Sequence, residues 1–119
     1  MISISCTIGS PNKQGEDLYL KHCATCHGDK GEGLRSLYPP LAEADWLKLN
    51  RSELGCIIKN GIKKPIVVNG KTFHMPMPAN PLLNTVEIHN IINYICNSWD
   101  NELGYFTPNE IEAQLEKCR

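Results

Sequence analysis

The 119-residue chain is 41% apolar and 21% charged, with twelve basic against thirteen acidic side chains and a net charge of −1. That length holds one domain around one small core, and that balance excludes a disordered chain and the basic footprint of a nucleic-acid binder. No uninterrupted apolar run reaches 15 residues, which excludes a spanning helix, and six cysteines favour an oxidising compartment or a cofactor site.

Residues 1–12, with Gly9, Ser10, Pro11 and Asn12, carry turn formers and no hydrophobic period, so a flexible leader is expected there and the domain is expected to begin at Lys13. Met1 to Cys6 is too short for a complete signal peptide, so any export signal is taken as already removed. Over residues 14–22, Leu18, Tyr19 and His22 share one helical face, and the pattern stops at a glycine-rich stretch containing Gly28, Gly31 and Gly33. A short helix thus delivers the intervening residues into a loop. Pro39-Pro40 removes two backbone donors and fixes an extended course. A second helix is expected over residues 51–59, with Asn50 or Ser52 near its cap and Asn60-Gly61 as its stop. Asn69-Gly70 between residues 66–68 and 71–73 marks a tight hairpin. Asn84 and Glu87 form a capping box, with Leu83 and Ile88 as a hydrophobic staple, and the stripe Ile88, Ile91, Ile92, Ile95, Trp99 continues that helix. A last helix is expected from Thr107-Pro108 to Cys118.

Cys23-Ala24-Thr25-Cys26-His27 is a C-x-x-C-H motif. Its spacing lets two thiols add across the vinyl groups of one haem while the adjacent imidazole reaches the iron. Two other chemistries share the C-x-x-C core. A thioredoxin-like dithiol belongs after a strand, whereas here a helix precedes the motif. A zinc site would need two of Cys56, Cys96 and Cys118, which stand far apart in sequence. Haem attachment is the stronger reading. The sulfur donors late in the chain are Met75 and Met77, in His74-Met75-Pro76-Met77-Pro78. Prolines stiffen a loop that presents a sulfur, and methionine as a sixth ligand raises the potential, as suits an electron carrier.

On these residues the chain resembles the class I c-type cytochromes over residues 14–101. The resemblance implies an all-α cytochrome c fold, with N- and C-terminal helices packed crosswise around a covalently bound haem c, one small β-hairpin and a short extra C-terminal helix. Its Met-Pro pair shortly before the last core helix maps onto Met77-Pro78, making His27 and Met77 the iron ligands and Met75 the alternative. A glycine and an aromatic before the first haem cysteine map onto Gly15 and Tyr19, expected to meet Ile91 and Tyr94. The proline after the histidine, whose carbonyl accepts the imidazole Nδ1 proton, maps onto Pro39. Pro40 and Leu41 would then line the proximal wall, Ile57, Ile58, Phe73 and Leu82 would contact the distal side, and Trp46 and Arg51 would hydrogen-bond the propionates. His22 and His89 are expected to face solvent, and His74 is the other nitrogen donor beside the methionines.

Four cysteines are not needed by the haem. Loop-closure entropy gives about 4.3 kcal/mol for Cys56–Cys118 and about 3.9 for Cys56–Cys96, too close to choose between them. Residues 102–119 extend past the usual end of the family fold, and their need of an attachment favours Cys56–Cys118. The tail resembles extensions of bacterial lipoprotein cytochromes, in which an N-terminal cysteine carries the lipid, a role that Cys6 would take. The expected protein is a non-enzymatic, monomeric, periplasmic or exported single-electron carrier, docking on redox partners through an apolar patch and not through strong charge steering. A dedicated haem subunit of an oxidase or dehydrogenase, and a gas-binding or peroxidase-type haem protein, are the alternatives.

Overall fold

The computed structural model describes residues 11–118. Cys6 and most of the expected leader lie outside them. The first helix, α1, spans Pro11–His22, so Pro11 and Asn12 belong to a helix and not to the leader. Proline at the first helical position explains the early start, because its missing N–H is one that a helix leaves unpaired there anyway. A single turn, α2 (Ala24–His27), follows, then α3 (Asp45–Leu49). The helix expected over residues 51–59 divides into a 3₁₀ turn, Arg51–Glu53, and α4, Leu54–Asn60. Neither Asn50 nor Ser52 caps α4 with its side chain; Glu53 occupies its N-cap position without a side-chain cap bond.

The hairpin pairs β1 (Ile66–Val68) with β2 (Lys71–Phe73), antiparallel, with Ile66 opposite Phe73. Asn69 and Gly70 both take positive φ, as the tight two-residue turn requires. Asp45 and Asn69 exchange side chain to backbone hydrogen bonds of 2.8 and 2.9 Å, tying the start of α3 to that turn.

Helix α5, Thr85–Cys96, begins at the expected capping box, and Leu83 and Ile88 are both buried. It packs against α1 where Gly15 lies on Asn90 and Tyr94: a Cβ there would run into the Asn90 carbonyl and come within 2.8 Å of the Tyr94 Cβ. Tyr19, Tyr94 and Trp99 form an aromatic cluster with centroids 5.0 to 5.6 Å apart. The apolar stripe suggested that helix continues to Trp99, but α5 stops at Cys96. Asn101 donates to the Ile95 carbonyl (2.8 Å) and the Leu103 amide to that of Cys96 (2.9 Å), so the terminal carbonyls are satisfied by the returning chain. Trp99 and Asp100 adopt left-handed φ of 53° and 71° to make that return.

The last helix, α6 (Pro108–Glu116), carries a second capping box, Thr107 with Glu110, and packs against α4 and α5. The strap before it is fastened to α5. Asn93 exchanges hydrogen bonds with the Phe106 backbone (2.8 and 3.0 Å), Asn97 with that of Gly104 (2.8 and 3.2 Å), and His89 Nε2 donates to the Phe106 carbonyl (2.8 Å). His89 therefore faces the strap, not solvent. The architecture is mostly helical with one two-stranded sheet, consistent with the cytochrome c fold.

Candidate haem site

The motif is a helical turn and not a loop. The Cys23 amide continues the α1 ladder to Tyr19 (2.8 Å), and His27 N–H donates to the Cys23 carbonyl (3.0 Å). Cys23, Cys26 and His27 therefore occupy positions i, i+3 and i+4, one face of a helix, which is how a contiguous motif presents three groups together. Gly28, at φ 87°, ends the turn, and its carbonyl accepts the Tyr19 hydroxyl at 2.6 Å.

Beyond it the chain folds back to serve His27. Gly33 N–H donates to the His27 carbonyl (2.7 Å), and Leu41 and Ala42 donate to that of Gly31 (2.8 and 2.9 Å). His27 Nδ1 is thereby set 2.9 Å from the Pro39 carbonyl, which can only accept, so Nδ1 carries the proton and Nε2 presents its lone pair. Gly33 makes this return possible, since at φ 73° a Cβ would lie 2.6 to 2.8 Å from the Tyr38, Pro39 and Pro40 backbone. Burial holds the imidazole pKa below its ordinary value, against a smaller upward pull from the Pro39 hydrogen bond, and a neutral ring is the form that binds metal.

Cys23, Cys26 and His27 open into a largely apolar cleft with about 1170 Å³ of space, part of it open to solvent. Pro39, Pro40, Leu41, Trp46, Ile57, Ile58, Phe73, Met75 and Met77 line it as expected. Two expected contacts do not. Leu82 is 95% exposed and is not among the lining residues. Arg51 lies over the Phe106 ring at 4.3 Å, on the side that faces the strap, because the 3₁₀ turn carries it away from the cleft. His22 is exposed but borders the cleft, whereas His74 is exposed and not among its lining residues.

The lining residues missed by sequence reading include Ile66 and Val68 on the inner face of the hairpin, Ile91 and Ile95 one turn apart on α5, Leu54, and Ile62. For the first four, period-two and period-four spacing carried the signal. Ile62 had none, since its place depends on Met77: the two exchange backbone hydrogen bonds of 2.8 and 3.0 Å.

The donor chemistry fits haem and not the alternatives. Burial, with a smaller contribution from Cys26, pushes the Cys23 thiol up to about 12, the opposite of the lowered value a dithiol redox centre uses. Cys56 and Cys118 are joined in a disulfide with Cα atoms 6.0 Å apart, the pairing expected for the tail, and Cys96 is fully buried, so among the described residues no accessible thiol remains to complete a zinc site with the motif. Two thiols on one helical face, a neutral imidazole with a free Nε2 and an apolar slot suit a covalently attached haem.

Such a site defines the c-type cytochromes. Residues 10–95 match the family model described as cytochrome c oxidase, cbb3-type, subunit III, and the chain belongs to this family. It is 31% identical over 91 residues to the cytochrome c subunit of a quinone alcohol dehydrogenase from Gluconacetobacter polyoxogenes, covering 74% of this chain and 19% of that protein. It is 27% identical over 105 residues to the cbb3-type oxidase subunit CcoP of Rubrivivax gelatinosus, covering 88% and 30%. To cytochrome c-552 of Thermus thermophilus it is 29% identical over 89 residues, covering 71% and 67%. The chain thus spans about one fifth of the dehydrogenase subunit it matches. As a cytochrome c domain with a single C-x-x-C-H motif it carries one covalently attached haem c and transfers single electrons.

Proposed function

We propose that His27 and Met77 are the two axial ligands and that the domain is a closed-site electron carrier, catalysing no reaction by itself. Haem iron, when bound, supplies the ferric–ferrous couple. Cys23 and Cys26 anchor the group, His27 ligates through Nε2, and the Pro39 carbonyl fixes the ring and raises the basicity of that nitrogen. The observation that carries the Met77 assignment is its two-bond backbone pairing with Ile62 on the cleft wall. That pairing fixes the backbone from which the sulfur projects. Met75 sits two residues outside the pair and is 45% exposed, and it supplies apolar surface at the rim together with the exposed Pro76 and Pro78. A small apolar rim of this kind suits brief docking to redox proteins.

The test is the weak near-infrared sulfur-to-iron band of the ferric protein. Met77→Ala should abolish it and Met75→Ala should leave it, while the reverse pattern would make Met75 the ligand. The reduced wild type should refuse carbon monoxide, and ready binding would instead support the open-site reading, for which the exposed His74 offers little acid–base help.

The second reading is a haem-bearing part of a dehydrogenase or oxidase complex, favoured by the matches to subunits of such enzymes. Copurification of a stoichiometric enzyme partner distinguishes it from a free shuttle. A disulfide points to an oxidising, exported location. No helix among the described residues is long and apolar enough to cross a membrane. A lipid on Cys6 would tether the domain to one.

A further inference from the structure

Helix α4 lacks a side-chain cap of its own, yet its first turn is not left unpaired. Gln114, 6% exposed on α6, accepts from Gly55 N–H at 2.8 Å through Oε1 and donates to the Arg51 carbonyl at 3.1 Å through Nε2. Gly55 permits this approach, since its Cβ position already lies 3.1 Å from the Gln114 oxygen. One residue further along α4, Cys56 is joined to Cys118. The tail therefore grips the beginning of α4 by two hydrogen bonds and a covalent link.

The other end of α4 grips the methionine loop. Its terminal carbonyls receive donors from that loop: Asn80 N–H reaches Ile58 and Lys59 (both 3.1 Å), and Asn80 Nδ2 reaches Ile58 (3.1 Å). Lys59 Nζ in turn donates to the carbonyls of Pro81 and Leu83, each at 2.9 Å. Gly61, at φ 78°, brings the chain against the Met77 carbonyl, and Ile62 makes the backbone pair with Met77. A helix is stiff along its axis, so a tilt at its first turn is carried to its last.

We propose that Gln114 is a positioning residue for the sixth iron ligand, setting through α4 how firmly Met77 holds the iron, with the Cys56–Cys118 disulfide as the second half of the same brace. This rests on Met77 being that ligand. It gives the C-terminal extension a part in tuning the redox site, although none of its described residues lines the cleft.

The experiment uses the full-length ferric holoprotein and free imidazole, which binds the iron only by displacing the methionine. Wild type and Met77→Ala are compared first: loss of the near-infrared band on that substitution establishes the ligand, and its persistence overturns the Met77 reading and this inference with it. Gln114→Met, close in shape but without the hydrogen bonds, is then expected to raise imidazole affinity about threefold to tenfold, the factor one net hydrogen bond corresponds to. Cys56→Ser/Cys118→Ser should change it in the same direction. Trp99→Phe, a change in the aromatic cluster with Tyr19 and Tyr94 that lowers stability outside α4, α6 and the methionine loop, should leave imidazole affinity at the wild-type value. An unchanged affinity in Gln114→Met while the Met77 band test succeeds, or an equal rise in Trp99→Phe, would overturn the positioning role alone.

Discussion

The hydrogen bonds that shape the His27 wall close almost entirely within residues 19–42, from the Tyr19 hydroxyl on Gly28 to the Gly31 carbonyl under Leu41 and Ala42. The Met77 wall is assembled from distant pieces: Ile62 with Met77, Lys59 with Leu83, Gly55 with Gln114 and Cys56 with Cys118. One wall is a local motif that carries its own support. The other is a tertiary product whose geometry belongs to three segments at once. Local support keeps the anchor in place under perturbation of the tail, whereas ligation at the far side responds to changes a long way from the iron.

The largest test of this contrast is Gly33→Ala. A Cβ at φ 73° meets three backbone atoms of a stiff proline segment, so a loss of about 3 kcal/mol is expected, measured by chemical denaturation of the holoprotein. Because the strain falls on the loop that orients His27, the near-infrared band should survive in the folded fraction. Gly61→Ala is the matching change on the other wall. Its Cβ would press on the Met77 carbonyl and lie 2.9 to 3.0 Å from the Pro78 and Ala79 backbone, one severe contact against the three at Gly33. About 2 kcal/mol is expected, and here the band should weaken. A strong band in Gly61→Ala, or a lost one in Gly33→Ala, would break the comparison.

A smaller effect concerns the face of α5 behind the cleft. Burial pushes the Cys96 thiol up to about 11 from 9.0, against a downward pull from Arg51. A raised folded-state value for an acid favours the neutral form, so this contribution is fully present below about pH 9 and is lost as pH rises through about 11. Cys96→Ala should flatten the alkaline part of the stability profile while lowering stability at neutral pH through the cavity it leaves. The smallest effect is Leu82→Ala, a 95% exposed side chain, expected to change stability by less than about 0.5 kcal/mol and the spectrum not at all.

The same division explains what the amino-acid sequence made legible. The motif, the Asn69-Gly70 turn, the Asn84–Glu87 capping box and the Thr107-Pro108 helix start depend on residues close together in the chain, and all appear where expected. The Pro39 acceptor, the Gly15 contact and the Cys56–Cys118 bridge were reached through family resemblance, and the structure bears out all three contacts, with Asn90 in place of Ile91 beside Tyr94. What failed depends on where an irregular segment turns. Arg51 and Leu82 sit at such places, a 3₁₀ turn and a loop end, where the direction of a side chain is decided by neighbours distant in sequence. The ladder of His89, Asn93 and Asn97 that holds the strap was visible as a polar stripe at helical spacing, but its partners, the Phe106 and Gly104 backbones, carry no side-chain signature.

The two tryptophans are placed as separate optical reporters. Trp46 borders the cleft, while Trp99 lies behind it, on Tyr19 and against Gly31. A haem quenches indole emission by energy transfer that falls steeply with distance, so each ring brightens when its own half of the molecule opens. In a Trp46→Phe protein, the fluorescence recovered during denaturation follows the packing of Trp99 on Tyr19 and Gly31. In Trp99→Phe it follows the cleft, and the two midpoints reveal whether carrier and scaffold melt together.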